Sequence, residues 1–186
     1  MKNNEQIIQT DKQQISACLS MDEKNKIDHL LEHYPQASGA SIDALKVIQK
    51  HRGWVSDTAI AALAVHMNIP LSDLDSVATF YNLIFRRPVG KVLLHPCNGV
   101  SCLLMGYRKI HQRLQQNLNI LDGETSSDGR ITLIPLPCLG ACDKAPVMLQ
   151  NEYLHKNLKT NDIDLIIKSV NQDPANQKYR EEDNEA

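Results

Sequence analysis

Four of the five cysteines stand in two pairs, Cys97 with Cys102 (C-x4-C) and Cys138 with Cys142 (C-x3-C). Four thiolates are the ligand set of an iron–sulfur cluster or of a tetrahedral zinc ion. Spacing discriminates among these. Structural zinc knuckles favour two residues between paired cysteines, and neither pair has that. The dense C-x2-C-x2-C run of bacterial [4Fe–4S] sites is missing. A Rieske centre needs two histidine ligands, but the residues two after Cys97 and Cys138 are Gly99 and Gly140. No C-x-x-C dithiol is present for disulfide exchange. A [2Fe–2S] cluster with two ligands on each iron fits the pairs best; zinc and metal-free thiols stay open. Cys18 lies in a polar stretch far in sequence from the other four and reads as an incidental thiol.

The residues around the pairs suit an anionic cluster. Backbone N–H groups must point at its sulfurs, and Gly99 and Gly140 permit the sharp loops that aim them. A helix beginning near Cys102 offers its N-terminal end to negative charge. Lys144 reads as a solvated surface cation and His95 as a histidine satisfied at a strand end. Pro135, Pro137 and Pro146 stiffen the loops.

Bringing two such loops together needs two strands that end on the same side. Residues 91–95 (KVLLH) and 131–134 (ITLI) are strand candidates ahead of the two cysteine loops. A helix over 103–118, with Met105, Ile110 and Leu114 among its apolar positions, joins them. In a βαβ unit both loops then emerge at one end of the sheet. Residues 147–150 and 153–155 flank Asn151-Glu152 as a hairpin. Ile163, Ile166, Ile167 and Val170 recur at helical spacing in a last helix. The order β-α-β-β-β-α is that of an α/β layer fold.

Before Pro88 the periods are helical. Ile27, Leu30, Leu31 and Tyr34 form one face of a helix ended by Pro35. Ile42, Leu45 and Ile48 mark a second helix, from Ser41 to a stop at Gly53. Ser56 caps a third with Ile60, Leu63, Ala64 and Met67 inward and Asn68 as terminator. Ser72 and Asp75 resemble a capping box for a fourth, short helix through Phe80. Phe80-Tyr81 reads as core or as a partner contact, core being the simpler. The expected organisation is a flexible polar arm over 1–20, a helical bundle over 21–87, the α/β domain over 88–170 and a disordered polar tail over 171–186.

Composition sets bounds on function. Hydrophobic residues make up 42% of the 186, enough for a core. Net charge is −2 and neither half is basic, so no electrostatic footprint for nucleic acid is present. The longest uncharged run, 92–107, is too short and too polar for direct membrane insertion. The first twenty residues lack the apolar stretch of a secretory signal, which points to a reducing compartment where cysteines bind metal. None of the eight glycines forms a G-x-G, so neither a dinucleotide fingerprint nor a P-loop exists. No catalytic residue can be singled out; the pattern is that of a chain that holds electrons and does not bind NADH itself.

The run VATFYNLIFRRPVGKVLLHPCNGVSC, the GYRKI after it and PCLGACDKAPVMLQNEYLHKNL resemble the E-subunit family of bacterial NADH:quinone oxidoreductase, respiratory complex I. The upstream stretch IQKHRGWVSDTAIAALAVHMNIPLSDLDSVATFY is similar to that family's helical region. The likeness covers roughly residues 24–170. It implies an α+β chain, an N-terminal helical bundle followed by a thioredoxin-like α/β [2Fe–2S] ferredoxin domain. It implies Cys97, Cys102, Cys138 and Cys142 as ligands of a [2Fe–2S] cluster. The partner it implies is the flavoprotein F subunit, which carries FMN, the NADH site and a [4Fe–4S] cluster and exchanges single electrons with this chain. Further peripheral-arm subunits, and a cytoplasmic place in the peripheral arm of an inner-membrane complex, are implied with it. Equivalent subunits of NAD-dependent formate dehydrogenases or hydrogenases, and a zinc-bound structural adaptor, are the alternatives.

Overall fold

A computed structural model describes residues 18–172. Residues 1–17 of the expected arm and 173–186 of the expected tail lie outside the described residues. The chain divides into two compact units between Pro88 and Val89.

In the first unit the apolar periods fold as α1 (Met21–Leu31), α2 (Ser41–Arg52), α3 (Asp57–Met67) and α4 (Leu71–Phe80). Their inward stripes meet in one core, where Ile27, Leu45, Ile48, Ile60, Leu63 and Leu74 are fully buried. Each such side chain contributes about 1.5–3 kcal/mol through burial. The termini are chemically specified. Ser20 and Glu23 form a reciprocal capping box at the start of α1, Glu23 N–H donating to Ser20 Oγ at 3.1 Å and Ser20 N–H to Glu23 Oε2 at 2.8 Å. Gly53 stops α2 in the left-handed conformation, φ +84°. Ser56 Oγ caps α3 by accepting from Ala59 N–H at 3.2 Å.

Several expectations change here. The arm's last residues belong to the fold: Leu19 is buried and Ser20 is the N-cap. The first helix ends at Leu31, and Tyr34 packs against the core from beyond it, its hydroxyl donating to Asp43 Oδ2. The Ser72–Asp75 capping box does not form. Leu71 follows Pro70 as the first helical residue, and Ser72 Oγ bonds Asp73 Oδ1 at 3.2 Å. Phe80 and Tyr81 are not core. Phe80 is 78% exposed, because the chain leaves α4 at Tyr81 and turns away, Ile84 N–H bonding Tyr81 O at 2.9 Å.

Glu23 does more than cap. Its buried carboxylate accepts from Arg52 Nε and Nη2, both at 2.6 Å, and meets His51 Nδ1 at 3.0 Å. The guanidinium, then the Ser20 N–H and His51, hold the Glu23 carboxyl down at about 2 against the burial that opposes them. This ties α1 to the end of α2.

The second unit is built on a mixed four-stranded sheet in the order β2-β1-β3-β4. Its strands are β1 (Val92–Pro96), β2 (Ile131–Leu133), β3 (Met148–Gln150) and β4 (Tyr153–His155). β1 and β2 run parallel, with Val92 opposite Ile131 and Leu94 opposite Leu133. β3 lies antiparallel on the other side of β1, and the β3–β4 hairpin turns at Asn151, φ +50°. The connection from β1 to β2 holds α5 (Val100–Leu104) and α6 (Tyr107–Leu118), and α7 (Thr160–Gln172) closes the unit against α6. Leu94, Leu114, Leu133, Met148 and Ile163 form its buried centre.

The single helix expected over 103–118 is two. The helical run begins at Val100 and breaks at Met105–Gly106, where Gly106 takes φ +110°. Met105 is therefore exposed and not an apolar core position. Arg113 ties α6 to α7 by a bidentate bond to Asp164, at 2.8 and 2.7 Å. Among the described residues no helix is long and apolar enough to cross a membrane.

Candidate metal centre

The parallel register of β1 and β2 is kept beyond the strands, in an isolated bridge between Cys97 and Leu136. Cys97 follows β1 directly, and its N–H bonds Val147 O at 3.0 Å, while Asn98 N–H bonds Leu136 O at 3.0 Å. Three stretches of chain thus meet at this end of the sheet: 97–102, 136–142 and 145–147. They bring Cys97, Cys102, Cys138 and Cys142 to one site. A short 3-10 turn, Cys142–Lys144, closes the second loop.

The thiols are grouped two by two. Cys138 and Cys142 sulfurs lie 3.3 Å apart, and Cys97 and Cys102 are buried in one cluster. The two pairs also sense each other, since charge on Cys142 acts on Cys102 and charge on Cys97 acts on Cys142. Among the described residues no three or more His, Cys, Asp or Glu side chains close on a single metal-ion position. Cys97 and Cys102 are buried among Ala145, Val147 and Tyr107, whereas Cys138 and Cys142 are exposed.

Donors are aimed at the sulfurs. Gly140, at φ +83°, donates its N–H to Cys138 Sγ at 3.4 Å. This bond draws the Cys138 thiol below its ordinary range, helped by Cys142. Burial pushes Cys102 up, and the Val147 N–H works the other way. Cys142 is pushed up first by the hydrogen bond it shares with Cys138, and Ser101 works the other way.

Gly99 is the N-cap of α5 and lies against the other loop. A methyl group there would stand 3.3 Å from Cys138 Cα and 3.4 Å from its Cβ. Tyr107 walls the buried pair, its hydroxyl pushed up to about 12 by burial and then by Asp122 and Cys97. Its ring stacks on His111 at 5.1 Å, and His111 Nε2 is 2.6 Å from Asp122 Oδ1.

The remaining residues singled out in the sequence fall as follows. His95 is buried and satisfied, Nδ1 lying 2.9 Å from Ile134 O, and burial lowers its pKa. Lys144 is exposed, 3.6 Å from Asp143. Cys18 is exposed, in the other unit; its carbonyl accepts from Arg52 Nη2 at 2.7 Å. Spacing did not point to Val147 or Ser101. Val147 is an apolar strand-end residue acting through its main chain, which leaves no signal in a sequence. Ser101 had one, a hydroxyl inside C-x4-C.

Comparison with known proteins converges on one family. The thioredoxin-like [2Fe–2S] ferredoxin family matches residues 27–171. The E subunit of the NADH-quinone oxidoreductase of Salmonella typhimurium is 49% identical over 140 residues, covering 75% of this chain and 84% of that one. The protein of the same name from Pseudomonas aeruginosa is 42% identical over 153 residues, 82% of this chain and 90% of that one. In fold, a chain of an NAD+-reducing [NiFe]-hydrogenase superposes with a TM-score of 0.63 at 24% identity, over 75% of this chain and 24% of that one. The paired thiols, the donors aimed at them and this likeness over most of the length agree, and the chain belongs to the thioredoxin-like [2Fe–2S] ferredoxin family, alongside the E subunits of NADH-quinone oxidoreductases.

Proposed function

We propose that this chain is the electron-transferring E subunit of an NADH-quinone oxidoreductase and that Cys97, Cys102, Cys138 and Cys142 hold its [2Fe–2S] cluster. When bound, such a cluster takes up and releases one electron at a time. The residues fit it. Grouping of the cysteines by twos is what two irons with two terminal ligands each require, and Gly140 supplies an N–H donor for the negative charge on sulfur. Gly99 leaves free the space beside Cys138 that a side chain would fill. The observation that carries the reading is the convergence of the two sequence-distant cysteine pairs, within a chain 49% identical to an NADH-quinone oxidoreductase E subunit.

The sequence carries no G-x-G dinucleotide motif, and the hydride chemistry is assigned to a partner. That partner is a flavoprotein carrying FMN, met through the peripheral arm on the cytoplasmic side of the membrane. The helices α1–α4, read as a helical bundle, serve as a docking module, with Phe80 and Tyr81 exposed at the end of α4 as anchors. Around the thiols, Val100, Leu104 and Met105 present an apolar rim suited to excluding water from an electron-transfer contact.

Anaerobic purification tests this. The expected result is about two irons and two sulfides per chain, with an EPR signal on reduction. Co-purification with a flavoprotein that oxidises NADH is expected from the native host. Stoichiometric zinc without iron would overturn the assignment.

A further inference from the structure

Helices α1 and α2 flank a groove of about 630 Å³ in the first unit. Its apolar lining is Leu30 and Val47, both half-buried, with Val47 packed against the core. Lys26, His29, Lys50 and His51 stand exposed around them. Asp22 lines the groove as well and is paired with Lys26 at 2.6 Å. The Lys50 ammonium has no partner among the described residues, so the rim carries one uncompensated positive charge. Concave sites of about 300–1,000 Å³ with an apolar lining and a few polar groups are where proteins seat ligands.

We propose that this groove is a docking site for the chain's own residues 5–11, with Ile7 and Ile8 against Leu30 and Val47 and the acids Glu5 and Asp11 towards the lysines. The described chain begins at the mouth of the groove. The Cys18 carbonyl accepts from Arg52 Nη2 at 2.7 Å, beside His51 of the rim, and Leu19 is buried just ahead of Asp22. The six residues 12–17 span up to about 20 Å when extended. The helix from Asp22 to Leu30 is about 12 Å long, so the tether reaches. The segment EQIIQTD matches the groove in kind: two isoleucines between two acids, with Lys2 and Lys12 falling outside it. So short a tether gives the segment a millimolar-range effective concentration at the groove, which favours it over a second copy. The segment precedes residue 27, where the family match starts, so the family fold gives it no other place.

The test reads the Leu30 and Val47 methyl resonances of the full chain by NMR. Deleting residues 2–16 keeps Leu19 and the Ser20–Glu23 box, and is expected to shift both residues' methyl signals. A synthetic peptide of residues 1–16 added to the deleted chain is expected to return them saturably, and the same peptide with asparagine at 7 and 8 to have no effect. Ile7→Asn with Ile8→Asn in the full chain is expected to give the positions of the deleted chain, and this variant decides if the deleted chain does not fold. Unmoved Leu30 and Val47 signals would overturn the proposal. Carbodiimide coupling of a mixture of isotopically labelled and unlabelled full chains is expected to join Glu5 or Asp11 to Lys26 or Lys50 within single chains. Links between differently labelled chains would assign the groove to a second copy and overturn it as well.

Discussion

Ligand replacement is the sharpest prediction at the level of single residues. Serine at 97, 102, 138 or 142 removes one thiolate, and cluster assembly is coupled to folding of the loops that carry it. Visible absorbance is expected to bleach and the thermal midpoint of the second unit to fall, both absent in Cys18→Ser; optical spectra and calorimetry read the two effects. Gly99→Ala tests the cradle. Its methyl would press on Cys138 at 3.3–3.4 Å while the backbone φ of −64° remains acceptable, so the strain is steric alone. A lower iron-to-protein ratio after reconstitution is expected, with folding of α1–α4 unchanged by circular dichroism. At this scale the cysteines were legible because ligand chemistry fixes residue type and local spacing. The close seat of Gly99 against Cys138 was not, because the two lie in different loops and only the fold brings them together.

Helices and strands show where pattern suffices and where it does not. Ile60, Leu63, Ala64 and Met67 lie buried on α3 as their spacing requires. So do Ile163, Ile166, Ile167 and Val170 on α7. Both are strong stripes with one solution. The break at Gly106 was hidden, since an apolar Met105 continues the stripe on paper while the chain turns it to water. The Ser20–Glu23 box and the Glu23–Arg52 pair were missed for opposite reasons. The first sits in a stretch whose composition looks like an arm. The second joins residues far apart in the chain. The pair has a pH consequence. The carboxyl of Glu23 sits at about 2 in the fold, below its ordinary 4.5, so the ionised form favours the folded state. Its contribution is complete above about pH 4.5 and is lost as pH falls towards about 2. Thermal melts of the wild type are expected to fall across that window, and Glu23→Gln to be flatter there. At neutral pH the same variant is expected to lose about 3 kcal/mol, because Arg52 is left facing a neutral group.

Over the whole molecule the two units have separate hydrophobic centres, one gathered around Leu45 and Leu63, the other around Leu94 and Leu133. Helical periods ahead of Pro88 and strand periods after it made both kinds of structure readable. What covers a face was not readable: periodicity places Phe80 at the end of a helix but carries no information on whether anything packs over it. The second unit is also two-sided at its cysteine site. Cys97 and Cys102 are each 2% exposed, whereas Cys138 and Cys142 face solvent. In the metal-free chain an alkylating reagent is expected to label 138 and 142 well before 97 and 102, as mass spectrometry of a time course would show; simultaneous labelling would contradict the described burial. Wear on this molecule therefore begins from a known side. Oxidants reach the later loop first, while the earlier pair stays sheltered in the protein.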